Sequence, residues 1–494
     1  MTLLAQAAMP AFHIQLARRL GVGGYGLYVW SNNLVDLTSL VTLFGMDAVV
    51  TNEVSRAKAA GDTERACRSV GSALRVVVLT GLAMALLIAA GAPQLAAVSG
   101  KPAAVFPLRA LTVVPIAYHA ASIFLVATQA RMAMRYDFWA RGLFQPLSLL
   151  ALTTALLAWG LPGACVAVAV AMGLTAILAG YFYSRELPLG PTLRAALFHP
   201  VDWKAVRAAL PLVAMALIWA FQGRLDRFML GLLRPAAEVG AYGACGIYVV
   251  SLGQVRGVFV PGMTAVLPGL LARDDTKAIR LLVQRTQRWV ALLAVPLFVL
   301  FSVFGEGLLA VFGRGAIAGA HALPLLALGS LFGTLSLPST LLLFGDTRHR
   351  WTLSVSFVAS LVAQIAIMPA LTERWGIAGP AAAAALGMLI AQGIQQYTVW
   401  KIHRVHGFSA GLARVFVAGL LAAIPGRALF LWAPWALAPR FFAGVALAAA
   451  IYATVAARIG LEADERRSMI ASLARAWAIV RSTVEKRRIH PRSP

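Results

Sequence analysis

The chain has 494 residues, of which 60% are hydrophobic and only 13% are charged, and its mean hydropathy is +0.78. Soluble chains carry about 25% charged residues, so this composition argues against a soluble globular protein. The formal net charge of +24 would indicate a nucleic-acid partner in a soluble protein. Here the basic residues lie between apolar runs, which predicts a polytopic membrane protein with no nucleic-acid partner.

The apolar runs predict an all-α protein of about 14 transmembrane helices, because open sheets leave backbone groups unsatisfied in lipid. The predicted spans of the first half are 2–17, 26–46, 70–91, 105–127, 141–160 and 163–183. Those that follow are 208–232, 240–267, 288–312, 321–344, 352–371, 377–400, 412–433 and 440–458. The predicted domains are a six-helix bundle over 1–184, a cytoplasmic linker over 185–207, a second six-helix bundle over 208–404, two additional helices over 405–460 and a basic cytoplasmic tail over 461–494.

Lysine and arginine concentrate in the connections after even-numbered spans, so the positive-inside rule places these connections and both termini in the cytoplasm. We expect no cleavable signal peptide, because the first stretch lacks a basic n-region. In the tail, basic and apolar residues alternate as in an amphipathic helix on an anionic leaflet, although a solvated, partly disordered tail is an alternative. The basic residues after even-numbered spans include Arg56, Lys58, Arg65, Arg68, Arg131, Arg135, Arg185, Arg273, Lys277, Arg280, Lys401 and Arg404.

The two halves of the chain contain similar sequences. An offset of 217 residues matches Tyr25 to Tyr242 and Arg56 to Arg273, and each arginine lies in a predicted basic loop. An Asp-Thr pair follows in each half, as Asp62-Thr63 and Asp275-Thr276. Two six-helix halves in the same orientation indicate a parallel repeat with a transport site between the halves. A coincidence of common residues is the alternative.

The seventh predicted span contains the stretch that is hardest to explain without a function, WAFQGRLDRFMLGLLR over 219–234. A charge at the bilayer centre is costly, so such residues normally face a partner, a bundle interior or a wet cavity. On a helical wheel Gln222 and Asp226 share a face with Trp219, while Arg224 and Arg227 lie on a neighbouring face. We interpret this span as one wall of a polar cavity in a transporter.

Polar side chains in other spans are further candidates for that cavity. Asn32 and Asp36 lie four residues apart on one helical face, with Asp36 near mid-membrane by count. Asp36 could counter an arginine or couple transport to protons, while an interhelical hydrogen bond is the structural alternative. His119 in the fourth span is a weaker candidate, because interhelical bonding is more common than ligand binding for a single histidine.

Six short motifs follow one another along the chain: Ala17-Arg18-Arg19-Leu20-Gly21, Tyr25-Gly26-Leu27-Tyr28, Phe44-Gly45-Met46, Val54-Ser55-Arg56, Asp226-Arg227-Phe228-Met229-Leu230-Gly231 and Glu238-Val239-Gly240-Ala241-Tyr242. In their order and spacing they resemble the polysaccharide (O-antigen and exopolysaccharide) flippase family, in a superfamily that also holds multidrug antiporters and the peptidoglycan-precursor flippase. The resemblance covers roughly residues 15–400. It implies a V-shaped pair of bundles that moves an undecaprenyl-diphosphate-linked oligosaccharide outward across the bacterial inner membrane by alternating access. It also implies contact with membrane lipid, a polysaccharide polymerase and other assembly proteins, and we expect a monomer.

Such a substrate requires a cationic cavity, and arginine suits a diphosphate because its planar fork offers paired donors and stays charged. The four basic residues well inside predicted spans are Arg224, Arg227, Arg256 and Arg427. On this interpretation one arginine of the seventh span holds substrate while the other pairs with an acid on an adjacent helix. Structural ion pairs, or snorkelling toward the outer surface, are the alternatives.

Two other functions compete with a flippase. A multidrug or cation antiporter of the same superfamily would use acidic cavity residues more than arginines, whereas the candidates here contain more arginine. A membrane-embedded polysaccharide ligase or polymerase is disfavoured by the short loops. We expect no enzyme activity and no cofactor: the sequence has no GxxxxGK[ST] loop, and its three cysteines, Cys67, Cys165 and Cys245, have no metal or disulfide spacing.

Overall fold

A computed structural model describes residues 2–43, 45–198, 203–346, 348–349 and 351–460. The predicted basic tail over 461–494 and the side chain of Trp219 lie outside the described residues. Over the described ranges the backbone forms helices and turns and no strand, which confirms the all-α prediction. The α-helices are α1 (Thr2–Leu43), α2 (Met46–Ala60), α3 (Thr63–Val98), α4 (Val105–Leu111), α5 (Val113–Ala130), α6 (Arg135–Asp137), α7 (Gln145–Leu156), α8 (Gly160–Ser184), α9 (Leu189–Phe198), α10 (Trp203–Leu233), α11 (Ala236–Ala272), α12 (Thr276–Val303), α13 (Gly305–Ala310), α14 (Ala322–Leu335), α15 (Leu337–Gly345), α16 (Trp351–Trp375), α17 (Ala378–His403), α18 (Ala410–Trp432) and α19 (Leu437–Val455). The short 3-10 helices are Pro102–Ala104, Leu157–Trp159 and Arg314–His321, and π-helical turns cover Phe138–Phe144 and Ala456–Gly460.

Within the described part of the chain, nine helical stretches are long and apolar enough to cross a membrane. The protein is therefore a multi-pass membrane protein. Predicted spans 1, 2, 7 and 12 fall in α1, α10 and α17, which are long helices outside these nine. The count of fourteen stays a prediction. The nine stretches are Thr63–Val98, Pro102–Ala130, Arg135–Ser184, Ala236–Ala272, Thr276–Val303, Arg314–Leu335, Trp351–Trp375, Ala410–Trp432 and Leu437–Arg458.

Helix α1 contains the first predicted span and most of the second, with a kink between them. Gly21 has φ 68° and ψ 168°, a backbone conformation that side chains with a Cβ rarely adopt. The helix ends at Leu43, and Gly45, with φ 69°, is the N-cap residue immediately before α2. The sequence predicts a loop around Arg56, but α2 continues as helix to Ala60. That prediction is wrong, because residues 46–60 contain no glycine or proline to break the helix.

The Asp-Thr pair found in each half begins a long helix. Asp62 caps α3, because its carboxylate accepts a hydrogen bond from the Arg65 backbone N–H at 2.8 Å. Asp275 caps α12 in the same way, with the Ala278 N–H as donor at 3.0 Å. A capping carboxylate satisfies one of the unpaired N–H groups of the first turn, so the shared pair has a local structural role in both halves.

The chain forms two compact units. The first contains Met1–Ser251, Gly305–Gly333 and Asp346–Gln395. Its core includes buried side chains of α2, α3, α5 and α8, with α9 packed against α3. In the same unit α1 packs against α7 and α10, and α10 packs against α16. These contacts bring the polar residues of α1 and α10 together.

The second unit contains Leu252–Phe304, Thr334–Gly345 and Gln396–Pro494. Here α18 and α19 pack against each other and against α12. The pair approaches closely at two glycines: a Cβ at Gly426 would lie 3.1 Å from the Gly444 O. The Phe304 ring meets the Phe430 ring edge-on at 5.7 Å. The predicted bundle boundaries, linker and parallel repeat stay predictions.

Candidate functional site

A cavity of about 310 Å³ lies in the first unit, among α1, α5, α7, α8 and α10. Ligand pockets typically measure about 300–1,000 Å³, so this one has room for a compact polar headgroup. Polar and aromatic side chains form much of its wall. The lining residues are Met9, Phe12, His13, Tyr28, Asn32, Asp36, Ser39, Val114, Pro115, Tyr118, His119, Gln145, Leu149, Val168, Met172 and Arg224.

Helix α1 contributes a polar stripe to the cavity. Tyr28, Asn32 and Asp36 recur every four residues, so they share one helical face, as the sequence predicts for Asn32 and Asp36. Asn32 Nδ2 donates a hydrogen bond to Asp36 Oδ2 at 3.1 Å. The adjacent Asn33 is buried, and its Nδ2 donates to the Arg224 backbone O at 3.3 Å. This last bond fixes α1 against α10 at the level of the cavity.

Helix α10 contributes positive charge. Arg224 lines the cavity, and its Nη1 donates to the backbone O of Ala220 in the preceding turn at 3.1 Å. The guanidinium of Arg227 lies beside Gly246 of α11, and its buried Nε has no hydrogen-bond partner among the described residues. Both arginines interact electrostatically with the Asp36 carboxylate. Within the described ranges no carboxylate lies within 4.0 Å of either guanidinium, so the expected ion pair is not formed.

Gln222 and Asp226 lie on another face of α10, as the helical wheel indicates. Gln222 Nε2 donates to Ser360 Oγ of α16 at 2.6 Å, and both residues are buried. Asp226 Oδ2 accepts a hydrogen bond from the Tyr242 hydroxyl of α11 at 2.7 Å. Neither Gln222 nor Asp226 is among the described lining residues of the cavity. Their contacts join α10 to its neighbours, which is the structural alternative to substrate binding.

Replacing Tyr242 by phenylalanine is expected to destabilise the protein. Asp226 is only 7% exposed and its second oxygen, Oδ1, has no hydrogen-bond partner in the described structure, so loss of the hydroxyl leaves a buried carboxylate without this donor. An unsatisfied buried polar group costs about 1–3 kcal/mol. The thermal unfolding midpoint of purified protein should therefore fall. Tyr397→Phe, which removes a hydroxyl from a 59% exposed side chain, is the control, and equal midpoints in the two variants would contradict the prediction.

The remaining sequence candidates lie in different places. His119 of α5 lines the cavity and is 6% exposed. Arg256 of α11 and Arg427 of α18 both belong to the second unit. Arg427 Nη1 donates to the Val303 backbone O at 2.7 Å, and its guanidinium lies 5.4 Å from the centre of the Phe430 ring. Arg427 therefore takes part in the packing of α18 against α12.

Four aromatic lining residues were missed by sequence reasoning: Phe12, His13, Tyr28 and Tyr118. The Tyr25 hydroxyl lies 3.2 Å from His13 Nδ1, which connects the two parts of α1 on either side of the kink. Helical spacing from Asp36 through Asn32 to Tyr28 could have identified one of them. A π-helical turn over Phe138–Phe144 leads directly into Gln145, which also lines the cavity; such turns frequently occur at functional sites.

Solved structures of transporters have the same fold. The chain is similar to an inward-facing multidrug resistance MATE family transporter of the MOP superfamily, with a TM-score of 0.67 at 14% identity over 81% of this chain and 98% of that chain. It is similar to the lipid II flippase MurJ in an inward closed conformation, with a TM-score of 0.64 at 11% identity over 92% of this chain and 97% of that chain. It is also similar to the eukaryotic MATE transporter AtDTX14, with a TM-score of 0.54 at 14% identity over 81% of this chain and 96% of that chain.

These similarities define the class of protein: a polytopic membrane protein with the fold of MATE and MurJ transporters. The sequence comparison is more specific. Residues 4–271, more than half of the chain, match the profile of the family described as polysaccharide biosynthesis protein. The chain belongs to this family. This membership confirms the resemblance inferred from the motifs. None of the curated proteins compared with the sequence matches it.

Proposed function

We propose that the protein is a flippase that moves an undecaprenyl-diphosphate-linked oligosaccharide from the inner to the outer leaflet of the bacterial inner membrane by alternating access. Membership of a polysaccharide biosynthesis family and the fold shared with a lipid II flippase support this function. The observation that carries the proposal is the charge of the cavity. Arg224 lines the cavity, and Asp36 is the one carboxylate among its described lining residues. The positive charge of Arg227 interacts with Asp36 in addition to that of Arg224.

The chemistry of the cavity suits the head of such a substrate. A diphosphate needs charge-assisted donors, and Arg224, which has no carboxylate within 4.0 Å among the described residues, can supply them without first breaking an ion pair. Sugar hydroxyls need neutral hydrogen-bond donors and acceptors, which Asn32, Ser39 and Gln145 supply. The ring of a sugar can pack on an aromatic face such as that of Tyr28. A volume of about 310 Å³ would accept the diphosphate and its nearest sugar, while the rest of the glycan and the polyprenyl chain remain outside.

A multidrug or cation antiporter is the main alternative, because a MATE transporter shares the fold. A cationic drug would use Asp36 as its counter-charge, and the two arginines would repel it. The charge balance therefore favours an anionic substrate. A ligase or polymerase is less well supported, because the solved structures that share the fold are transporters.

Replacing Arg224 by alanine is expected to reduce export strongly. A hydrogen bond to a charged group contributes about 1.5–3 kcal/mol, and each 1.4 kcal/mol is about tenfold, so transport should fall about 10- to 100-fold. In cells whose surface glycan depends on this protein, surface glycan should be lost while lipid-linked precursor accumulates in the inner leaflet. Arg224→Lys keeps the charge but not the planar fork, so it should restore export in part.

Arg109→Ala is the matched control for Arg224→Ala, because Arg109 is exposed on α4 and its Nε also donates to a single backbone carbonyl, that of Ala89 at 3.1 Å. It should export normally. Alanine variants of Arg227 and Arg256 extend the series to the other predicted substrate contacts. Full export by all three alanine variants at normal protein levels would refute the diphosphate site. Loss of drug resistance on Asp36→Asn, with glycan export unchanged, would favour the antiporter.

We propose that the protein acts as a monomer with both termini in the cytoplasm, and that a polysaccharide polymerase and other assembly proteins use the exported glycan. The distribution of lysine and arginine between alternate connections supports this orientation.

A further inference from the structure

Helix α9 is a short helix fixed on the first unit beside the start of α3. Its Thr192 and Ala195 are buried, and Thr192 Oγ1 lies 2.8 Å from the hydroxyl of buried Tyr183. A Cβ at Gly71 of α3 would lie 2.8 Å from the Ala196 backbone N. The backbones of α3 and α9 are therefore in close contact, and α9 presents its outer face in a fixed position.

The outer face of α9 is apolar although it is not covered by the described protein. Leu193 is 48% exposed, Leu197 69% and Phe198 76%. Large exposed apolar patches mark sites of contact with protein or membrane. The sequence predicts this connection to lie on the cytoplasmic side, where the surface of the leaflet is negatively charged.

A groove of about 740 Å³ runs between α9 and the first turns of α3, next to the apolar face. Two arginines line it, Arg68 of α3 and Arg194 of α9. Arg68 Nη1 forms an ion pair with Glu64 Oε1 at 3.8 Å, and Glu64 also lines the groove. Arg194 is exposed and has no carboxylate within 4.0 Å in the described parts of the chain. The groove therefore has a net positive charge beside an apolar surface.

We propose that this groove binds the headgroup of an anionic phospholipid from the cytoplasmic leaflet. The phosphodiester lies between Arg68 and Arg194, and the acyl chains cover Leu193 and Leu197. An amphiphile satisfies both parts of the surface at once. A free phosphate ion would leave the leucines exposed, and an acidic protein segment would need a matching apolar face of its own. The site is separate from the transport cavity, with which it shares no lining residue.

The test uses full-length protein that is purified in detergent and stripped of lipid. Phosphatidylglycerol should bind, measured by native mass spectrometry, and should raise the thermal unfolding midpoint, whereas phosphatidylcholine should do neither. Arg194→Gln should weaken phosphatidylglycerol binding about tenfold, because a charge-assisted hydrogen bond is lost. Leu197→Gln should also weaken it, since the acyl chains lose an apolar contact.

Arg56→Gln is the matched control, because Arg56 of α2 is a 73% exposed arginine that is paired with Glu53 and does not line the groove. It should bind phosphatidylglycerol as the parent does. Equal binding of the two lipids, unchanged binding in both Arg194→Gln and Leu197→Gln, or displacement of the lipid by millimolar inorganic phosphate would overturn the proposal. Displacement by a soluble acidic peptide would indicate a protein partner instead. None of these outcomes depends on what the protein transports.

Discussion

Replacing Gly26 of α1 by valine is expected to remove most of the folded protein. A Cβ at Gly26 would lie 2.6 Å from the Ala236 carbonyl carbon and 2.8 Å from the Gly240 N, at the start of α11. Real Cβ atoms essentially never approach other atoms below 3.0 Å. Overpacking costs about 1–3 kcal/mol when side chains can move aside; here the neighbours are backbone atoms, so the two helices would have to separate.

The yield of monodisperse protein in detergent should fall about tenfold, because total stabilities are only about 5–15 kcal/mol. Gly23→Val is the control in the same helix, since a Cβ at Gly23 would meet nothing within 4 Å. Size-exclusion profiles of the two variants, expressed side by side, measure the difference. A normal profile for Gly26→Val would show that α1 and α11 do not pack as described.

The surroundings of Gly26 show that two of the family motifs have a role in helix packing. Tyr25-Gly26 and Val239-Gly240 identify the family by sequence, but in the structure they serve packing. Tyr25 is 1% exposed and Val239 0%, and the two glycines allow the α1 and α11 backbones to touch. Sequence could locate these residues, whereas their partners are hundreds of residues away and depend on the tertiary fold.

The helical fold was predictable because a helix satisfies the hydrogen-bonding groups of its own backbone, which lipid cannot do. Apolar runs of about 20 residues mark where such helices lie. Helix ends were less predictable. The sequence predicts one span over 321–344, but the chain breaks between α14 and α15 at Ser336. No hydropathy pattern marks that break, since both flanking segments are apolar. By contrast Asp62 and Asp275, which look like mere repeat markers, cap α3 and α12.

The cavity was predictable only in part. Charge in an apolar run pointed to α10, and helical periodicity separated Arg224 from Gln222 and Asp226. A wheel shows which side chains share a face, but not which face meets a cavity. Asp226 therefore could not be assigned to Tyr242, or Gln222 to Ser360, before the packing of α10 against α11 and α16 was known. For the same reason His13 was not recognised as a lining residue.

Lys101 is the second position at which a large effect is expected. It lies in the short connection between α3 and the 3-10 helix that precedes α4, yet it is only 4% exposed. Its Nζ donates to the backbone carbonyls of Ser99 at 3.0 Å, Arg234 at 3.0 Å and Gly231, and it lies 5.4 Å from the centre of the Trp30 ring. Burial lowers the pKa of the amine, while the three carbonyls favour its charged form.

These contacts place a cation at the C-terminal end of α10, where the carbonyls of the last turn have no intrahelical partner and the helix dipole is negative. The lysine thus joins α1, the end of α3 and the end of α10 at one point. Removal of its amine leaves the carbonyl of Gly231 in the last turn of α10, and that of Arg234 just after it, without this donor in a buried position. Each orphaned carbonyl costs about 1–3 kcal/mol.

Lys101→Met, which keeps the length of the side chain, is therefore expected to lower the thermal unfolding midpoint of the purified protein strongly. Lys101→Arg should lower it less, because a guanidinium can still donate to the same carbonyls. Lys58→Met is the matched control: Lys58 is exposed and its Nζ donates to one carbonyl, that of Arg131 at 2.9 Å, so its loss should change the midpoint little. If Lys101→Met and Lys58→Met unfold at the same temperature, the end of α10 is held by other contacts and the amine is dispensable.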